Sequence, residues 1–258
     1  MDCRSLLRPL PLFLAATLTL PLAAPCQQPG LPDAPKPQKA DPDAATVRNT
    51  PRNILKDQEA IWTSPIHLNS SNALGPVALV LATTAVVTTD HQFMSDHFLD
   101  TNLNSEASTA SNGATGLMVA VPAAFYAVGK LENEDQATET GILGGEAMAD
   151  SLAVDYAMKA ITMRERPTLD GAEGKFFQSS VGLDSSFPST HAIVAWSSAA
   201  VIASEYPGIL TQVTAYGLAT GVSVTRVLAR QHFPSDVLVG SAVGWMIGRY
   251  VFHRHHRD

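Results

Sequence analysis

FPSTHAIVAWSSAAVIA, residues 187–203, carries the first decision about the fold. Ser189 and Thr190 stand before an apolar run from Ala192 to Ala203, interrupted only by Ser197 and Ser198, the pattern of an N-cap opening a buried helix. Working outward, further helical apolar segments fall at about 74–89, 114–129, 142–164, 209–225 and 235–252, most of them separated by Gly, Asn, Asp or Pro. No period-two strand pattern and no internal repeat is present. The expectation is an all-α protein whose segments pack as a helical bundle.

The start of the chain reads differently. Arg4 and Arg8 precede an apolar stretch from Leu10 to Leu22 and the small residues Ala23 and Ala24, so residues 1–26 read as a signal peptide or signal anchor. Cys26 follows Pro25 rather than a small residue, which fits lipid attachment poorly. Residues 27–52 hold Pro29, Pro32, Pro35, Pro37 and Pro42 and read as a Pro-rich linker. A short amphipathic stretch (Ile54, Leu55, Gln58, Ile61, Trp62) then opens the helical domain, 53–258.

Composition narrows the function. A net charge of -7 excludes a broadly basic nucleic-acid face but leaves room for local positive charge around an anionic substrate. The only cysteines are Cys3 and Cys26, so the domain has no disulfide and no cysteine zinc site. P-loop, GxSxG and HExxH patterns are absent. Asp90, His91, Asp96, His97 and Asp100 crowd one segment without a metal-ligand spacing and are expected to form a solvated loop. His253, His255 and His256 are expected to form an exposed basic tail.

Three clusters supply chemistry. KAITMRERP, residues 159–167, puts Lys159 and Arg166 seven apart, two helical turns on one face, with Pro167 ending the helix near Arg166. Pro188-Ser189-Thr190-His191 opens a helix whose free N–H groups and dipole favour an anion. Thr225-Arg226 precedes His232-Phe233-Pro234-Ser235-Asp236, where Pro234 suits the first helical position. Asp236 can reach back as in a capping box, accept from one imidazole nitrogen of His232 and leave the other free to attack.

Together the clusters resemble the type-2 phosphatidic acid phosphatase and vanadium haloperoxidase superfamily: a Lys with Arg-Pro seven residues on, then Pro-Ser-Gly-His, then Ser-Arg with His six and Asp ten residues after the Arg. The resemblance spans roughly 70–252. Thr190 stands where the family has glycine and Thr225 where it has serine. The resemblance implies a phosphoric monoester hydrolase acting on a phosphorylated small molecule or lipid, through a phosphohistidine intermediate and with no cofactor or metal. His232 would be the nucleophile, Asp236 its orienter and His191 the acid and base. Lys159, Arg166, Arg226, Ser189 and the Thr190 N–H would cradle the phosphate. Lipid phosphates, isoprenoid pyrophosphates and small soluble esters all stay open as substrates. Two rivals remain, a vanadate-dependent haloperoxidase and a non-catalytic phosphate- or lipid-binding protein; bromide oxidation would reveal the first, binding without turnover the second.

Location is read from charge and hydropathy. Mean hydropathy is +0.06, low for many spans, and the segment 90–113, taken as a loop, has no Lys or Arg. The expectation is a periplasmic or extracytoplasmic domain in contact with the membrane, with the last helix as an inward anchor. Oligomeric state is not legible.

Overall fold

The computed structural model describes residues 43–69, 71–96 and 101–257, and all statements of absence below refer to these. They form an all-α bundle of seven helices with no strand. The helices are α1 (Thr50–Thr63), α2 (Leu74–Asp96), α3 (Thr101–Glu132), α4 (Asp135–Thr162), α5 (Thr190–Glu205), α6 (Ile209–Leu228) and α7 (Pro234–His255). The expected signal segment and most of the Pro-rich linker lie outside the described residues.

Helix α5 is the central rod. Nearly every residue from Ala192 to Ala203 is buried, because α4, α6 and α7 surround it. Its closest partner is α7, and glycine makes that approach possible. A Cβ on Gly244 would sit 2.2 Å from the Ile193 carbonyl oxygen, and one on Gly248 would sit 2.3 Å from that of Ser197. The two glycines are four residues apart and share one face of α7, so the backbones of the two helices touch directly. The register this imposes sets the N-termini of α5 and α7 side by side, where the Ser189 N–H donates to the Asp236 carbonyl at 3.1 Å.

Several expectations are corrected. The stretch 90–113, read as a loop, is largely helix: α2 runs on to Asp96 and α3 begins at Thr101. Thr, Ser and Asn dominate this stretch but contain no breaker that a helix cannot absorb, so polar composition alone misplaced the boundary. With helix in place of a loop here, the lack of Lys and Arg assigns this stretch to neither side of a membrane. Asp90, expected in solvent, is 1% exposed. Residues 43–52 were read as the end of the linker, yet Ala44 and Ala45 are buried and α1 already starts at Thr50.

The histidine tail is corrected too. His255 is 1% exposed, its Nε2 2.8 Å from Asp57 of α1 and its Nδ1 2.7 Å from the Asp43 carbonyl oxygen. Helix α1 therefore docks by its polar side: Asn53 donates to Glu146 at 3.3 Å and Gln58 donates to Asp150 at 2.8 Å, while Leu55 stays exposed. Burial, with Asp57 and Glu146 as like-charged neighbours, pushes the Asp150 carboxyl up from 3.8 to about 7. The folded chain thus keeps a proton that the unfolded chain has lost. Stability from this group is complete below the unfolded value and disappears as pH rises toward 7. Burial works against His255, but its bond to Asp57 prevails and its pKa is raised, which gives the same sign. Asp150→Asn is expected to raise the melting temperature above about pH 7 and flatten its decline between about pH 4 and pH 7. Thermal melts across that range check this; an unchanged slope would refute it.

Two helices are long and apolar enough to cross a membrane, Leu74–Ser95 and Asn102–Glu132, with only 6% and 17% of their apolar windows buried. Leu74, Val80, Leu81, Leu117 and Leu131 face outward.

Candidate active site

The site gathers where the C-terminal ends of α4 and α6 meet the N-terminal ends of α5 and α7. Helix α4 ends at Thr162, closed by Met163 in a left-handed conformation. Lys159 therefore stands in the last turn, while Arg166 lies four residues beyond the helix. The two cations were expected on one helical face; Arg166 instead extends from the chain that follows.

Each candidate has defined partners. Lys159 is 3% exposed and donates to the carbonyls of Ser185 and Pro188 at 2.8 and 2.7 Å. Arg166 donates to Asp184 at 2.9 and 3.2 Å and to the Gln231 carbonyl at 3.1 Å. Ser189 is the N-cap of α5, but its hydroxyl makes no capping bond and is buried without a protein partner. Arg226 is also buried, and its Nε likewise has no protein partner. The Thr190 hydroxyl donates to the buried Asp155 at 2.8 Å, so the extra side chain at the family's glycine position is drawn into α4. Thr225 is spent on its own helix, donating to the Gly221 carbonyl at 2.8 Å.

Pro234 opens α7, and Asp236 accepts from the Phe233 N–H at 2.8 Å, the capping contact expected of it. The orientation of His232 differs from expectation. Its Nδ1 lies 2.7 Å from the Ser186 carbonyl oxygen and 3.7 Å from Asp236. A carbonyl only accepts, so Nδ1 carries the proton and Nε2 keeps its lone pair. The backbone of Ser186, not Asp236, fixes the tautomer; Asp236 acts through its charge.

His191 is bridged to Arg226 by a residue the sequence did not single out. The Nε2 of His191 and the Nη1 of Arg226 lie 3.0 and 3.2 Å from Oδ1 of Asn112 on α3. Arginine only donates, so the shared atom is the amide oxygen and His191 donates to it through Nε2. No spacing rule joins Asn112 to a motif 79 residues away, so the signal is purely tertiary. Asn112→Ala is expected to lower kcat/KM on a phosphate ester about tenfold by freeing both groups; steady-state rates unchanged from wild type would contradict it.

Burial dominates the electrostatics. It pulls His232 down to about 4, with Asp236 opposing and Lys159 and Arg166 reinforcing. It pulls His191 down to about 4 as well, helped by Arg226 and His232. Both imidazoles are thus neutral in the empty site near neutral pH. Arg226 is drawn down to about 10 by burial and by Arg166, and so stays charged. No group of three His, Cys, Asp or Glu residues able to hold a metal ion occurs among the described residues.

The sequence profile of the PAP2 superfamily matches residues 142–258, a segment that contains all eight candidate residues. The match covers a little under half of the chain. The PAP2 segment starts inside α4 and takes in α5, α6 and α7, whereas Asn112 lies upstream on α3. Among solved structures the chain is similar to a transmembrane PAP2 type phosphatidylglycerolphosphate phosphatase from Bacillus subtilis. That alignment has 20% identity and a TM-score of 0.45, covering 80% of this chain and 95% of the other. No curated protein matches the chain.

Proposed function

We propose that the protein hydrolyses phosphate monoesters outside the cytoplasm through a phosphohistidine intermediate, with a lipid phosphate as the favoured substrate class. The observation that carries the reading is the neutral His232, whose Nδ1–H donates to the Ser186 carbonyl and whose Nε2 is unengaged by any described residue, near Lys159 and Arg166, with Arg226 beside His191. Nε2 attacks phosphorus and forms an N–P bond as the P–O ester bond breaks. Lys159, Arg166 and Arg226, with Ser189 and the Thr190 N–H, take up the charge on the equatorial oxygens. A bound phosphate dianion opposes the burial and the neighbouring cations that hold His191 neutral, so His191 takes a proton from solvent and passes it to the leaving alkoxide. It then takes a proton from water, whose oxygen attacks phosphorus, breaks the N–P bond and releases phosphate.

Favouring a lipid rests on the exposed apolar faces of α2 and α3, since α3 itself delivers Asn112 to the site. An extracytoplasmic, membrane-associated domain accords with this and with the signal-like start.

The test is a phosphate-release screen over phosphatidic acid, an isoprenoid pyrophosphate and a soluble aryl phosphate. Turnover of phosphatidic acid is expected to exceed that of the others, and orthovanadate, a mimic of the pentacoordinate state, is expected to inhibit it. Release from none of the three, or indifference to vanadate, would count against the reading.

A further inference from the structure

Behind the candidate site lies a buried guanidinium that the motif reading passes over. Arg164 is 1% exposed and stands two residues before Arg166. Its Nη1 donates to Asp236 at 2.6 Å and to the Ser235 hydroxyl at 2.7 Å. Its Nη2 donates to Asp90 of α2 at 2.9 Å, and its Nε to the Gly174 carbonyl at 3.2 Å. The rings of Phe176 and Phe233 enclose it, 4.6 and 4.0 Å from the guanidinium carbon. Gly174 allows this: its φ is +61°, and a Cβ there would come within 2.5 Å of the Phe233 ring. Asp90 completes the arrangement by accepting from both the backbone N–H and the hydroxyl of Ser235.

The chain has thus placed two carboxylates on one cation. Asp236 is held on both oxygens, by Arg164 and by the Phe233 N–H, and it is the anion nearest His232. A fully buried cation is tolerated only when paired and hydrogen-bonded, and this one is paired twice. If Arg164 had only Asp236, the two charges would cancel and His232 would lose its neighbouring negative potential. Burial pushes the Asp90 carboxyl up, but it accepts on both oxygens from Arg164 and Ser235, which favours its anion, and as the anion it leaves the cluster of Asp90, Arg164 and Asp236 at net -1.

We propose that Asp90 and Arg164 are positioning residues for the reaction, setting the location and effective charge of Asp236 and thereby the proton affinity of His232. The proposal rests on the phosphatase reading for its kinetic consequences but not for the electrostatics. Besides Asp236, the charged groups acting on His232 are Lys159 of α4 and Arg166 of the following segment, with His191 of α5 also in range.

The experiment uses the full chain in detergent micelles. Wild type, Asp90→Asn, Arg164→Gln and Arg164→Lys are compared by kcat, KM and the pH profile of kcat/KM on p-nitrophenyl phosphate and micellar phosphatidic acid. The titration of the His232 imidazole is followed by NMR. Asp90→Asn keeps the shape and removes a negative charge, so the imidazole titrates lower and the acid limb moves down. Arg164→Gln removes the positive charge and moves both up, by about half a pH unit or more in each case. Arg164→Lys, which keeps the charge, is expected to hold the limb near wild type while losing the fork geometry. Turnover falls roughly tenfold to a hundredfold in Asp90→Asn with KM little changed, as when a group that orients a reacting ligand is removed. If Arg164→Gln does not fold, Asp90→Asn and Arg164→Lys still decide the matter. A merely structural role would lower the melting temperature and leave the His232 titration where it was, and that result overturns the proposal. A wild type that releases no phosphate defeats the phosphatase reading alone, because the NMR titrations still test the electrostatic claim.

Discussion

His232→Ala is expected to abolish phosphate release while leaving the bundle folded. The imidazole is nearly buried, but it stands at the start of α7 beside the cationic end of the site rather than in the apolar core. The helix it precedes is held by Pro234 and by the Asp236 capping contact, neither of which the substitution touches. Removal of a nucleophile that acts together with an acid and a cation cradle costs roughly three to six orders of magnitude in kcat in comparable hydrolases. The loss should fall on kcat, with vanadate or phosphate binding retained by Lys159, Arg166 and Arg226. A residual rate within tenfold of wild type would remove His232 from the nucleophile role. Asp236→Asn should cost less, since the Ser186 carbonyl still holds the tautomer; it removes the negative potential and, because an amide accepts on one atom only, one of the two contacts to Arg164 and the Phe233 N–H.

Gly244→Val is expected to be the most damaging single change to the fold. The first added carbon meets the Ile193 carbonyl oxygen at 2.2 Å, and the next nearest atoms are also α5 backbone, so no side chain can swing aside. Overpacking of this kind costs about 3 kcal/mol or more, because two helices must separate along their length. In a domain of this size that is roughly 10 °C in melting temperature. Gly217→Ala, where a Cβ meets nothing within 4 Å, is the control and should be neutral or mildly stabilising. Equal melting temperatures for the two variants would refute the close-approach account. Separation of α5 from α7 would also spread Ser189 from Asp236, so activity should fall with stability.

Much of this was legible in the chain. The all-α class follows from the apolar segments, and the placement of His232, Pro234 and Asp236 at the start of α7 follows from local capping rules. What escaped was tertiary. Asp90 looked like one of five polar residues in a loop, because only a partner as distant as Arg164 explains a buried carboxylate there. Asn112 carried no motif, and the Ser186 carbonyl could not be anticipated from side-chain identities. The polar docking of α1 was hidden for a related reason: its apolar residues suggested the packing face, whereas Asn53, Asp57 and Gln58 make the buried contacts. Arg166 was misplaced by two helical turns of assumed regularity that Met163 interrupts.

The contact of His255 with both Asp57 and the Asp43 carbonyl ties together segments 212 residues apart in sequence. The bundle is thereby closed almost like a ring, with its first and last helices sharing one clasp. Most domains begin to open by fraying at a loose extremity. Here neither α1 nor the last turn of α7 can peel away without breaking the same imidazole bonds, so the two helices should exchange amide hydrogens together, not in sequence.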